Sequence, residues 1–189
     1  MPHCLKQPVK KVNYMTTLNQ VILVNEQDEV VGAMEKIEAH RKAVLHRAFS
    51  VFIFNTNGEM LLQQRAFSKY HSGGLWTNAC CGHPSPGEQT VDAAERRLQE
   101  EMGFTTGLQE LFNFTYRHAF DNGLTEYELD HVFVGYWDAP VLPSPDEVND
   151  FCFLSIEEIK RSMAAVPQQY TVWFRIVFSR VEAWVRKTA

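Results

Sequence analysis

The stretch from Trp76 to Phe104, WTNACCGHPSPGEQTVDAAERRLQEEMGF, limits what this chain can become more than any other. Its second half carries the marks of a helix. Thr90 reads as the N-cap, and Asp92 falls in the first turn, where the macrodipole favours an anion. Val91, Ala94 or Glu95, Leu98 and Met102 recur at helical spacing and give a narrow apolar stripe. Gly103 can end the helix in a left-handed conformation. Glu100 and Glu101 then stand in the last turn, where the dipole disfavours carboxylates. A local rule broken without visible compensation is expected at a functional site. A solvated, charged helix face would give the same pattern. Against that plainer interpretation stands Cys81-Gly82-His83 just upstream, a thiol and an imidazole on either side of a glycine.

The 189 residues suffice for one domain with a real core. Apolar residues at 45% and charged residues at 22% are ordinary for a soluble globular protein. A net charge of −5 argues against broad nucleic-acid binding, so any phosphate ligand needs a locally gathered basic cluster. Cys4, Cys80, Cys81 and Cys152 have no disulfide-framework spacing and form no CxxC motif. No secretory h-region opens the chain, and no apolar run approaches the roughly 18 residues of a membrane span. A reduced, cytoplasmic protein is expected, acting without nucleic acid or membrane, as a monomer or weak homodimer.

Residues 1–17 mix Pro2, Pro8, Lys6, Lys10 and Lys11 without a period and read as a flexible arm, leaving 18–189 as the domain. Asn19–Asn25 and Val30–Met34 read as strands, and Lys36 and His40 follow in a polar segment. His46 precedes an apolar strand, Ala48–Asn55. Thr56-Asn57-Gly58 is a hairpin signal, and Glu59–Arg65 returns. Beyond the central stretch, Glu110–Phe120 and Leu124–Trp137 pair around Asp121-Asn122-Gly123. Glu126, Glu128 and Asp130 share one face of the second strand, because side chains alternate with period two. Like charges side by side call for a cation or a raised pKa. Pro140–Asp146 reads as a loop. Ser155 with Glu158 makes a capping box for a short helix. Tyr170–Arg186 is the last helix, with Trp173, Val177, Val181, Trp184 and Val185 at helical spacing. Hairpins with a central helix and C-terminal helices give an α+β fold: a mixed-sheet sandwich flanked by helices.

The spacing of Gly82, Glu88, Arg96, Glu100-Glu101 and Gly103 resembles the Nudix box, Gx5Ex7REUxEExGU with U aliphatic, which holds divalent metal against a diphosphate. Two positions depart from it: Arg97 stands where the box has a glutamate, and Phe104 stands at the last U. The preceding WTNACCGHP resembles the signature of type I isopentenyl-diphosphate isomerases. The likeness extends from about Val21 to Phe178 through Glu35-Lys36-Ile37-Glu38-Ala39-His40, Leu45-His46-Arg47-Ala48-Phe49-Ser50, Cys81-Gly82-His83-Pro84 and Glu126-Tyr127-Glu128. His40 and His46 are six positions apart, one fewer than in some relatives.

The resemblance implies a Nudix-like fold and a 1,3-allylic proton shift between isopentenyl and dimethylallyl diphosphate, in isoprenoid biosynthesis. It implies that His40, His46, His83, Glu126 and Glu128 hold one transition metal; three imidazoles with two carboxylates suit zinc, manganese or iron. Glu101 would hold magnesium together with the substrate diphosphate, since magnesium commonly takes few carboxylates plus phosphates. Lys36, Arg65, Lys69 and Arg97 would grip the diphosphate. Arg97 stands one turn before Glu101, so both can face one ligand, and a guanidinium can hold phosphate in bidentate fashion. Cys81 and Glu128 would be the proton-transfer pair, helped by Tyr116, with Trp173 stabilising a tertiary carbocation by its aromatic face. Position directly before Gly-His-Pro selects Cys81 over Cys80, which should point into packing if the segment is extended.

Two other functions compete. A Nudix diphosphate hydrolase would use Glu88, Glu100 and Glu101 but lose one box carboxylate to Arg97, and would leave Cys81 and the distant histidines without work. A non-catalytic diphosphate-binding module would need the basic cluster but not Cys81 with Glu128.

Overall fold

The computed structural model describes residues 19–69 and 71–188. The flexible arm expected over residues 1–17 lies outside them. Strands β1 (Gln20–Val24) and β2 (Val30–Glu35) form the first hairpin, and helix α1 (Lys36–Lys42) follows directly. Strand β3 (His46–Phe54), buried along almost its whole length, is the axis of the molecule. One edge of β3 runs parallel to β8 (Thr125–Tyr136), from His46 opposite Glu128 to Phe54 opposite Tyr136. Its other edge is shared. β1 takes its start, β6 (Cys80–Gly82) its middle, and β4 (Met60–Arg65) its end. β4 also pairs with β5 (Trp76–Asn78) and β9 (Val148–Leu154), and β7 (Gln109–Ala119) lies antiparallel on β8. One parallel pair among antiparallel ones makes the sheet mixed, as expected.

Alternation along β3 builds a core on each face. Phe49, Val51 and Ile53 pack with Ala93, Ala94, Leu98 and Met102 of helix α2 (Thr90–Met102). Phe52 and Phe54 pack with Phe174, Val177, Phe178 and Val181 of helix α4 (Val172–Thr188). Each fully buried side chain of this size contributes roughly 1.5–3 kcal/mol. Ser50, alternating with Phe49 and Val51, belongs to the face that carries the cleft. Glu101 comes one turn after Leu98 on the buried edge of α2, which takes a carboxylate inside the protein.

Several elements differ from expectation. The polar segment at Lys36–Lys42 is a helix, because the Glu35 side chain accepts from the amides of Ile37 and Glu38 and Ala43 ends it in the left-handed region at φ 50°. At seven residues it is too short to show an apolar period. Thr90 is the first residue of α2 rather than its cap; Gln89 holds the N-cap position, with no side-chain hydrogen bond. His46 lies within β3 instead of before it. β9 has no alternating pattern and escaped notice. The capping box of Ser155 and Glu158 opens α3 (Ile156–Ala165) as expected. Gly103 ends α2 at φ 78°, and a Cβ there would lie 2.2 Å from the Leu142 carbonyl oxygen, so glycine is required twice over. Among the described residues no helix is long and apolar enough to cross a membrane.

Candidate active site

A cleft opens beside β3, between β6, β8 and the start of α4. Its wall includes Cys81, Glu126, Glu128, Tyr116, Trp173 and His83, together with the cations Lys36, Arg65, Lys69 and Arg97. Side chains from nine separate elements or loops thus meet at one place.

His40 and His46 form the floor with Glu126 and Glu128. His40 Nδ1 lies 2.6 Å from the Lys36 carbonyl and His46 Nδ1 lies 2.8 Å from the Val44 carbonyl. A carbonyl only accepts, so both rings carry their proton on Nδ1 and turn the Nε2 lone pair inward. His40 Nε2 comes within 3.1 Å of Glu126 Oε2, out of line for a hydrogen bond. His40 Nε2, His46 Nε2 and Glu126 Oε2 are all buried without a hydrogen-bond partner. Such orphaned atoms are costly unless something meets them. Ligand atoms of His40, His46, His83, Glu126 and Glu128 lie within 4.8 Å of one another. Burial pushes His83 down to about 4, which keeps it in the neutral form a metal takes. Burial disfavours the His40 cation, yet Glu126 raises its pKa on balance. This donor set fits a divalent ion.

Glu128 is held from three sides. Its Oε1 lies 2.8 Å from His83 Nε2 and 3.6 Å from His46 Nε2, and its Oε2 accepts from the Tyr116 hydroxyl at 2.6 Å. Burial alone would raise this carboxyl, but the His46 and His83 imidazoles beside it hold it well below the usual carboxylate range. Tyr116 is pushed well above its ordinary value by burial and by the charge of Glu128, so it remains a proton donor.

Cys81 comes from the opposite edge of β3, paired with Ser50 in register. The strand turns Cys80 into the core, fully buried against α2, and Cys81 into the cleft, as the alternation required. Gly82 lets α2 lie close: a Cβ there would meet Phe49 at 2.9 Å and the Arg97 stem at 3.5 Å. The Cys81 sulfur lies 3.1 Å from Asn78 Nδ2 and 3.6 Å from Ser50 Oγ, which donates to Asp130 at 2.8 Å. Burial, with the Asp130 charge adding, pushes the thiol up to about 12. Cys81 is therefore neutral at physiological pH, and the folded thiol ionises later than an unfolded one at 9.0. Unfolding releases this proton between 9.0 and about 12, so the stability contribution is whole below that window and lost across it. Peptide-resolved iodoacetamide labelling should show Cys81 reactivity still rising above pH 10, roughly, instead of levelling near the ordinary thiol value. A plateau by about pH 9 would contradict this environment.

The cations gather at the mouth. Arg97 reaches Glu101 and Glu100, each at 2.6 Å, and Glu147 at 3.3 Å, and Lys69 also pairs with Glu147. Gln63 donates to the second oxygen of Glu101 at 2.9 Å, so Arg97 and Gln63 offset the unfavourable helix terminus. Arg65 places its guanidinium carbon 5.4 Å from the Trp173 ring, and its Nε is buried without a partner. Lys36 is lowered, by burial first, with Arg97 and Arg65 adding to it.

Five contributors are given no role by the sequence. Glu147 ties Lys69 to Arg97. Asp130, noted only as a face-mate of Glu128, braces Ser50. His71 lies 3.0 Å from Glu126, stacks on Phe120 and stands edge-on to Trp173. Thr77 and Asn78 sat inside the recognised motif with no role given. The other box carboxylates are engaged elsewhere. Arg96 grips Glu88 through both oxygens, at 2.8 and 3.0 Å, and Glu100 faces both arginines. Among the described residues, the histidine–glutamate cluster is the metal-capable group, and Glu88 and Glu100 are not part of it.

The fold and the loop-helix-loop beneath the cleft define a Nudix protein. Residues 44–174 match the NUDIX domain family model. DR0079 from Deinococcus radiodurans has a similar structure, with TM-score 0.65, 24% identity, and coverage of 77% of this chain and 89% of that one. A MutT protein from Methanosarcina mazei aligns with TM-score 0.58 at 22% identity, over 74% and 94% of the two chains. The isopentenyl-diphosphate Delta-isomerase of Pectobacterium atrosepticum is 52% identical over 164 residues, covering 87% of this chain and 92% of that protein. That of Serratia proteamaculans is 45% identical, over 89% and 97%. The chain belongs to the isopentenyl-diphosphate Delta-isomerase family within the Nudix superfamily.

Proposed function

We infer that this protein interconverts isopentenyl diphosphate and dimethylallyl diphosphate by a 1,3-allylic proton shift, in isoprenoid biosynthesis. The observation that supports this most is the origin of two groups that share the cleft: Cys81 and Glu128 reach it from opposite edges of β3. A proton must be added at the terminal carbon of the double bond and another removed from the carbon on the far side of the tertiary centre. One group donates and the other accepts, and the reverse reaction exchanges their parts. Tyr116, bonded to Glu128, serves the carboxyl side as a proton carrier.

The intermediate cation needs an aromatic face and little water. Trp173, 5% exposed, supplies the face, worth roughly 2 kcal/mol or more when desolvated. Water would trap the cation as an alcohol, so burial of the tail end matters as much as charge. Lys36, Arg65, Lys69 and Arg97 hold the diphosphate at the mouth. The five-residue cluster would hold zinc, manganese or iron, and Glu101 would hold magnesium with the substrate. A divalent ion in the cluster supplies positive charge that fixes the Glu128 carboxyl and tunes its acidity.

Residues 18–189 work as one unit, without nucleic acid or membrane, as a monomer or weak homodimer. Cys80, Cys81 and Cys152 are free, which suits the cytoplasm. A hydrolase would lose one box carboxylate to Arg97 and would leave Cys81 and the distant histidines without work. Phosphorus NMR during incubation with isopentenyl diphosphate tests the choice. The diphosphate should stay intact while the five-carbon product accumulates; inorganic phosphate would favour hydrolysis.

Arg97→Glu tests the grip. It restores the box carboxylate but places a negative charge beside Glu100, Glu101 and Glu147. Substrate affinity should fall by about 10–100-fold, the scale of one or two lost charge-assisted hydrogen bonds. Phosphate should still not be released. Unchanged affinity in a binding titration would remove Arg97 from the grip.

A further inference from the structure

Thr77 is buried on β5, 1% exposed, and every hydrogen-bonding position of its hydroxyl is used. The oxygen accepts from the Trp173 indole Nε1 at 2.9 Å and from the Thr171 hydroxyl at 3.0 Å. An indole N–H only donates, so the one Thr77 proton is left for Asn78 Oδ1, at 2.9 Å. Asn78 is buried as well, and its amide cannot be flipped. Nδ2 donates to the Cys80 carbonyl at 2.8 Å and to the Val51 carbonyl at 3.1 Å, which demands nitrogen on that side. The same amide meets Cys81: Nδ2 lies 3.1 Å from the sulfur and Oδ1 lies 3.3 Å from it. One uninterrupted chain therefore runs from Trp173 through Thr77 and Asn78 to the Cys81 thiol. The backbones on either side are joined too, because the Thr171 amide donates to the Trp76 carbonyl at 3.0 Å.

We propose that Thr77 is a positioning residue that sets the Trp173 indole and the Cys81 thiol as one unit, so that the aromatic face and the proton-transferring sulfur keep a fixed mutual placement. This rests on the isomerase function inferred above. The reason is geometric. The cation formed at the tertiary carbon must lie under the indole while the neighbouring carbon meets the sulfur, and a small misplacement at either end costs rate rather than binding. The diphosphate is held by cations outside this chain of hydrogen bonds, of which Arg65 stands 5.4 Å from the Trp173 ring. Thr77 touches neither substrate end; it acts through its two neighbours.

Thr77→Val keeps the shape and removes the hydroxyl, leaving the buried indole N–H and the Thr171 hydroxyl without their acceptor and the Asn78 amide oxygen with the Cys81 thiol alone. The expected result is a fall in kcat of about tenfold or more with KM changed less than about twofold, and recovery of kcat in Thr77→Ser. In a spectrum of the protein with 15N-labelled tryptophan, the Nε1 resonance of Trp173, identified by its loss in Trp173→Phe, should move in Thr77→Val and return in Thr77→Ser. A loss of packing alone would not be repaired by serine, which lacks the methyl group. If Thr77→Val does not fold, Thr77→Ala removes the same hydroxyl without a branched side chain in its place, and the same shift and the same kcat loss are expected from it.

An unmoved indole resonance would overturn the hydrogen-bond chain. A moved resonance with wild-type kcat would overturn its part in the reaction. A wild-type protein that does not turn over isopentenyl diphosphate would instead sink the isomerase function, and the indole measurement would still report on the chain.

Discussion

Cys81→Ala is expected to fold as the parent does and to lose isomerisation, by about the 10⁴-fold at the upper end of what one positioned acid or base contributes. The fold should survive because Cys81 is a small side chain at the cleft wall and Cys80, the neighbour in the core, is untouched. Substrate should still bind, since Lys36, Arg65, Lys69 and Arg97 are unaltered. Turnover and diphosphate affinity measured on one preparation check both halves. Appreciable residual turnover would mean that another group transfers the proton, and Cys81 would then be no more than a wall of the cleft.

Glu128→Gln should be as severe and should fail in a second way. The carboxylate is the point where His46, His83 and Tyr116 converge. An amide keeps the volume but removes the charge and one acceptor from the inner face of the cluster. Turnover should fall by roughly 10²–10⁴-fold. Affinity for manganese or zinc should fall by at least the roughly 10–100-fold that even outlying partners of a metal site are worth. Metal content after dialysis, read beside turnover, checks the pairing of effects. Full metal retention with no turnover would leave Glu128 as acid or base but not as ligand. Wild-type behaviour in both would remove it from either part.

Contiguous chemistry was legible in the residues themselves, and the groups spread along the chain were legible only through the family resemblance. Cys81-Gly82-His83, the carboxylates of α2 and the alternating Glu126 and Glu128 carried their spacing openly, and the register before Gly-His-Pro picked Cys81 while period-two alternation turned Cys80 into packing. The two hairpins were readable from their turns, Thr56-Asn57-Gly58 and Asp121-Asn122-Gly123. Glu147 had no visible reason to matter until the fold laid it against Lys69 and Arg97. Thr77 lay in plain view within the recognised motif, yet its partner Trp173 stands 96 positions away, so nothing local marked its hydroxyl. His71 was hidden for the same cause: Glu126 and Trp173 reach it from β8 and α4. Short elements were lost differently. α1 is capped by a glutamate at a position where serine, threonine, aspartate or asparagine is the usual signal. Gln89 occupies the cap of α2 without using its side chain, so Thr90 drew the assignment by residue type alone.

Deuterium from solvent gives the most direct check on two proton-handling groups reaching one cleft from opposite edges of a strand. In deuterated water, each turnover of isopentenyl diphosphate should place one deuterium in the new methyl group and release one substrate hydrogen from the carbon on the far side of the tertiary centre, because donor and acceptor are separate groups that exchange with solvent. A product free of deuterium, its hydrogen carried across within the substrate, would contradict a divided pair formed by Cys81 and Glu128.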